Sequence, residues 1–207
     1  MTRRSKPPAA LLNDYKRMAV HWSRTAIRNS DNFVLDLETT GPDPFQDRIV
    51  QVGIITIGGE TVIDALVNPG IEIPDKVVKV HGITNEAVAN AHTFADIHQM
   101  LWDIMQHKVV LIYNVGFDAT VLQMEAQRHR LKPFTPAGWY CVMKAAASFV
   151  GEWNPKHQDF KWQNQHKLIT RWGIPREVRH QAVADCHATL GILRHMAMLE
   201  EQENVSS

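Results

Sequence analysis

The stretch from Phe33 to Val67 constrains the fold more than any other part of this 207-residue chain. Phe33–Glu38, Arg48–Ile57 and Thr61–Val67 are three runs rich in β-branched and aliphatic residues. Thr39-Thr40-Gly41-Pro42 closes the first run, and Gly58-Gly59 reads as a hairpin turn between the second and third. Three strands joined this closely predict an antiparallel meander. The pattern then changes period. A loop holds Pro69 and Pro74, and Thr84 and Thr93 are placed to cap helices over Asn85–Ala89 and Phe94–Met105. Val109–Tyr113 reads as a short buried strand, followed by helices near Phe117–His129, Cys141–Val150, Lys161–Trp172 and Gln181–Leu199. A meander followed by alternating helices and strands predicts an α/β domain built on a mixed sheet.

The chain has 22 basic and 22 acidic residues, and this balance conceals an asymmetry. Residues 1–30 carry Arg3, Arg4, Lys6, Lys16, Arg17, Arg24 and Arg28 against Asp14 alone, so the remainder is acidic. We divide the chain into a basic, partly helical arm (1–30), a main domain (31–200) and a polar tail (201–207). In the arm Leu11, Tyr15, Met18 and Trp22 form a helical stripe. That stripe fits a helix packed on the domain or an arm for a partner or nucleic acid. No apolar run approaches the ~18 residues of a membrane helix. Two distant cysteines, Cys141 and Cys186, make neither a disulfide scaffold nor a zinc module, which favours a reducing cytoplasm. An acidic body repels phosphate unless its carboxylates hold divalent cations, and the carboxylates are therefore the question.

Asp36 and Glu38 lie two residues apart in a strand, so both project from one face. Asn114-Val115-Gly116-Phe117-Asp118 stands where a strand gives way to a helix, with Asp118 in the first turn. His180 precedes Asp185 by five residues at the opening of the last helix. Each feature alone has a plainer explanation: an exposed acidic pair, a helix cap, an incidental histidine. Together, four carboxylates drawn from several elements supply the hard oxygens that two divalent ions about 3.5–4 Å apart require. A histidine with an ordinary pKa near ~6.5 suits proton removal from an attacking water.

In this combination and order the residues resemble the DEDDh 3′–5′ exonucleases, the DnaQ-like family that includes the proofreading epsilon subunit of bacterial replicative DNA polymerase. The resemblance spans about Asn32 to Leu199. It rests on Asp36-Leu37-Glu38-Thr39-Thr40-Gly41, Asn114–Asp118 and His180-x4-Asp185, with His81-Gly82-Ile83-Thr84 standing in the position of a further family segment. It implies a ribonuclease-H-like fold with a five-stranded mixed sheet flanked by helices. Asp36, Glu38, Asp118 and Asp185 would hold two Mg²⁺ or Mn²⁺ ions, and His180 would be the general base. Thr39, Thr40 and Gly41 would meet the terminal nucleotide through their backbone, and His81, Asn114 and Phe117 would line its pocket.

The resemblance further implies release of nucleoside 5′-monophosphates from single-stranded or frayed 3′ ends, with DNA favoured over RNA. An RNA exonuclease is the near alternative, and a non-catalytic end-binding module the distant one. A DNA polymerase or other DNA-processing partner would dock through the arm. One segment departs from the family: Trp139-Tyr140-Cys141-Val142-Met143 lacks an aspartate that relatives commonly carry there. Another segment is open to two readings. Trp153, Trp162 and Trp172 interleave with Lys156, Lys161, Lys167 and Arg171, a pattern that serves either base stacking or helix packing.

Overall fold

The computed structural model describes residues 7–175 and 181–199. In chain order the elements are α1 (Ala9–Arg28), β1 (Phe33–Thr39), β2 (Ile49–Thr56), β3 (Thr61–Leu66), α2 (Asp75–His81), α3 (Asn85–Val88) and α4 (Phe94–Met105). Then follow β4 (Val109–Ile112), α5 (Val115–Arg128), β5 (Gly138–Cys141), α6 (Val142–Val150), β6 (Trp153–Asn154), β7 (Asp159–Phe160), α7 (Gln165–Arg171) and α8 (Ala182–Ala197). Among the described residues, no helix is long and apolar enough to cross a membrane.

The main sheet runs β3-β2-β1-β4-β5, antiparallel across the meander and parallel from β1 through β4 to β5. It is the five-stranded mixed sheet of the ribonuclease-H-like fold. The meander follows from its turn chemistry: Gly59 adopts φ 107°, where a side chain would be strained, and closes the β2–β3 hairpin. Each face of the sheet buries its own core. Leu35, Leu37 and Ile54 pack with Leu101 and Met105 of α4 and with Val121 and Leu122 of α5. On the opposite face Val34, Ile55 and Leu111 pack with Val20 of α1, Ala146 of α6 and Ala188 and Leu190 of α8.

Local signals account for several element boundaries. Thr93 and Asp96 form a reciprocal capping box at the start of α4, a feature worth about 1 kcal/mol. Thr84 caps α3 by accepting the Ala87 N–H at 3.2 Å. Three expectations require correction. The loop expected around Pro74 contains α2, which starts directly after that proline and ends at Gly82 in the left-handed conformation (φ 77°). The helix expected from Lys161 begins only at Gln165, because Lys161 donates its amide to Glu152 across the β6–β7 hairpin and Asn164 caps α7. In α1 the buried line is Ala19, Val20, Ser23 and Ala26, whereas Leu11 and Met18 are exposed. Small side chains let α1 approach α6 and α8 closely, and Arg24 donates to the Ala197 carbonyl at the end of α8 at 3.0 Å.

Candidate active site

β1 alternates so that Leu35 and Leu37 enter one core while Val34, Asp36 and Glu38 face α8. Asp36 and Glu38 occupy the carboxyl end of the strand and are half-buried. Asp185 lies in the first turn of α8 and is buried, and oxygens of Asp36, Glu38 and Asp185 all come within 4.8 Å of one another. Three carboxylates this close repel in the absence of a cation, and they form the hard-oxygen donor set that suits Mg²⁺ or Mn²⁺.

Two β2 residues bring α8 to this point. Gly53 pairs with Asp36, and a Cβ on it would stand 2.6 Å from the Ala182 carbonyl carbon and 2.7 Å from the Val183 nitrogen. Only glycine admits the helix so near the strand. Gln51 pairs with Glu38, accepts the Ala182 N–H at 3.2 Å and donates to Asp64 at 2.8 Å. It thereby satisfies one of the orphan amides at the helix start. Sequence reasoning passed over both residues. The available signal was a glycine and a glutamine inside an otherwise aliphatic strand, since a glycine there marks a close backbone approach.

Asp118 lies in the first turn of α5 and is buried. Pairing between β1 and β4 stops where Leu35 meets Ile112, and Asp118 accepts the free Leu37 N–H at 3.1 Å. It stands outside the group of three but feels the charge of Asp185. Burial pushes its carboxyl up to about 7, against the lowering effect of the bonds from its own N–H and that of Leu37. Cys186, fully buried, donates its thiol to the carbonyls of Gly53 (3.4 Å) and Val34 (3.5 Å). Burial, and then the charges of Asp36, Asp118 and Asp185, hold that thiol protonated.

The raised Asp118 pKa predicts a pH dependence of stability in metal-free protein. An unfolded aspartate ionises near ~3.9, so between about 4 and 7 folding takes up a proton. Stability from this group therefore falls as pH rises through that window, by at most about 1.4 kcal/mol per unit, and levels off above it. Asp118→Asn should flatten this part of the slope in denaturant unfolding measured from pH 4.5 to 8. Identical slopes in the two proteins would mean that Asp118 is ionised throughout.

Thr39 and Thr40 are buried at the end of β1. The Thr40 amide donates to Arg48 at 2.9 Å, its hydroxyl to Asp47 at 3.0 Å, and the Thr39 hydroxyl to the Gly41 carbonyl at 2.7 Å. A Cβ on Gly41 would lie 2.5 Å from the Asp47 carboxylate that staples this turn. Arg128 braces the same connection from α5 through the carbonyls of Asp47 (2.9 Å) and Phe45, and buried Glu125 holds Arg128 at 2.8 Å. His81 ends α2, is buried, and accepts the Ile83 N–H on Nδ1 at 3.0 Å. Asn114 is exposed at the head of α5, where its side chain forms no cap bond, and Phe117 packs partly into the α4–α5 core. The departing segment Trp139–Met143 forms the end of β5 and the start of α6. His180 lies outside the described residues.

Comparison with known proteins adds to this geometry. The exonuclease family model of ribonuclease T type matches residues 33–193. A protein of Escherichia phage 186 described as an uncharacterized exonuclease is 31% identical over 176 residues, covering 81% of this chain and 88% of the phage protein. The DNA polymerase III epsilon subunit of Treponema pallidum is 26% identical over 172 residues, 82% of this chain and 77% of that one. Some relatives are far longer: the chain spans 28% of a putative bifunctional exonuclease/endonuclease of Mycobacterium tuberculosis, at 27% identity over 86% of this chain. Among solved structures, the nuclease domain of 3′hExo, a DEDDh family member bound to rAMP, shares the fold with a TM-score of 0.63 at 21% identity. That alignment covers 78% of this chain and 89% of the other.

Proposed function

We propose, since the chain belongs to the exonuclease family, that it removes nucleotides from 3′ ends of single-stranded or frayed DNA and releases nucleoside 5′-monophosphates. The observation that carries this reading is the convergence of Asp36, Glu38 and Asp185 oxygens within 4.8 Å at the carboxyl end of β1, with Asp118 beside them. The donor set fits divalent cations: it is all carboxylate, drawn from three elements, and two of its members are buried. Asp36, Glu38, Asp118 and Asp185 would hold two Mg²⁺ or Mn²⁺ ions. When bound, such ions activate a water and neutralise charge at the scissile phosphate.

The chain's own residues have three further tasks in this reading. His180, preceding α8, accepts the proton of the attacking water. The stapled Thr39–Gly41 turn meets the terminal nucleotide, with His81, Asn114 and Phe117 around its sugar and base. Burial of Asp118 and Asp185 limits competing water, which strengthens every charge interaction at the phosphate. The epsilon relative supports a polymerase or other DNA-processing partner, docked through residues 1–30. The free thiols of Cys141 and Cys186 suit a cytoplasmic setting.

The test is a product assay on 5′-labelled oligomers: single-stranded DNA, paired and mismatched duplex, and matched RNA, each with Mg²⁺ and with chelator. The expected result is a ladder shortening from the 3′ end, fastest on single-stranded DNA, with mononucleotide product and no cleavage in chelator. Faster RNA cleavage would transfer the substrate to RNA. Binding of 3′ ends without turnover in either Mg²⁺ or Mn²⁺ would reduce the protein to an end-binding module.

A further inference from the structure

The structure sorts the six tryptophans. Trp172 stacks on His195 at 4.3 Å between ring centroids, Trp153 meets Phe160 edge-on at 5.7 Å, and Trp22 tilts against Tyr140. Trp102 lies beneath the Lys132 ammonium, and Trp139 packs against the α4–α5 core. Trp162 alone is exposed, at 67%. Its backbone is nevertheless well anchored. Lys161 donates its amide to Glu152 at 2.7 Å and accepts the Gln163 side-chain amide at 2.8 Å, and Gln163 accepts the Tyr113 hydroxyl at 2.7 Å.

Those anchors lead to the candidate active site from two sides. Tyr113 directly precedes Asn114 and the α5 turn that carries Asp118. On the other side Gln165 donates to the Asp185 carbonyl at 3.0 Å and to Thr189 at 2.8 Å. A broad, flat ring is thus held in water on a short segment tied to α8 and to Tyr113, two residues ahead of α5. The charge nearby is also distinctive. Residues 151–172 carry Lys156, Lys161, Lys167 and Arg171 against Glu152 and Asp159, in a body that is otherwise acidic. Lys161 and Lys167 are exposed, and Lys161 lies 3.9 Å from Glu152 in a loose surface pair.

We infer that Trp162 is a stacking platform for a base upstream of the terminal nucleotide, with Lys161 and Lys167 alongside for its phosphates. The ligand is a single strand, because a paired base has both faces covered by its neighbours and offers none to an indole. Aromatic stacking is tolerant of sequence, so the platform favours extended single-stranded ends of any composition. This inference rests on the exonuclease reading and names how that site engages more than one nucleotide.

The test uses the full chain carrying Asp36→Ala, so that the strand is not consumed, with Mg²⁺ and an end-labelled ten-nucleotide single strand. Adding Trp162→Ala should weaken binding by about ten-fold, while Trp162→Phe, which keeps a ring, should stay within about three-fold of the parent. Quenching of tryptophan emission by the strand should largely disappear in Trp162→Phe. In the active protein the loss from Trp162→Ala should be larger on the decamer than on a dinucleotide. Equal affinities for the parent and Trp162→Ala would overturn the inference and leave this ring to a protein partner. Hydrolysis by the active protein with no such difference would sink the platform alone, whereas no binding and no hydrolysis by the unsubstituted chain would sink both readings.

Discussion

Replacing Asp36 or Asp185 by alanine is expected to lower the rate of nucleotide release by at least about a thousand-fold, the equivalent of about 4 kcal/mol in the barrier. The size follows from position. Oxygens of both residues belong to the group gathered within 4.8 Å, so neither can be lost without opening the donor set that neutralises the reacting phosphate. The fold should survive the change. Asp36 is half-buried at the end of β1, and its removal relieves repulsion from Glu38 and Asp185 in metal-free protein. The melting temperature without metal should therefore match or exceed that of the parent, and the rise in melting temperature on adding Mg²⁺ should shrink. Activity within about ten-fold of the parent would exclude a shared cation at these oxygens.

Gly53→Ala is expected to damage both stability and activity, although residue 53 carries no functional group. The new Cβ would meet the backbone of Ala182 and Val183 at 2.6 and 2.7 Å, and backbone cannot swing aside as a side chain can. The first turn of α8 must then shift outward, breaking the Gln51 bond to the Ala182 amide and moving Asp185 away from Asp36 and Glu38. Overpacking of this kind costs about 1–3 kcal/mol. A displacement near ~1 Å at a reacting centre costs about 100-fold in rate. Rate measured across a Mg²⁺ titration, alongside thermal melting, separates the two effects. A folded variant with the parent rate would show that α8 reaches its place without the close approach at Gly53.

Much of this arrangement was legible in the sequence because it is local. A strand repeats every two residues, so Asp36 and Glu38 had to share a face wherever that strand packed. Thr93 with Asp96, and Gly58-Gly59, specify a helix start and a hairpin through bonds and torsions within a few residues. The α2 helix was also locally encoded, by Pro74 and Gly82, but seven residues between prolines and a glycine carry little periodicity. Trp153, Trp162 and Trp172 look alike in sequence, and only packing decides which rings are covered: Phe160 across the hairpin meets Trp153, and His195 of α8 stacks on Trp172. The arm shows the same limit. Its large apolar stripe fitted either a packed helix or an arm. In the structure α1 packs on the domain, with Trp22 partly buried against the core and the small residues Ala19, Ser23 and Ala26 buried, while Leu11 and Met18 stay exposed.

The sequence by itself determined which residue types stand at each strand end and helix start, and so the chemistry the chain has at hand. The tertiary structure alone decided that Asp185, 149 positions after Asp36 in the numbering, comes within a cation's reach of it. Periodicity and capping act over a few residues, whereas that approach depends on an absent Cβ at Gly53 and a side-chain amide at Gln51, both on a different strand. Contacts of that kind come into being only when the sheet and the last helix pack together.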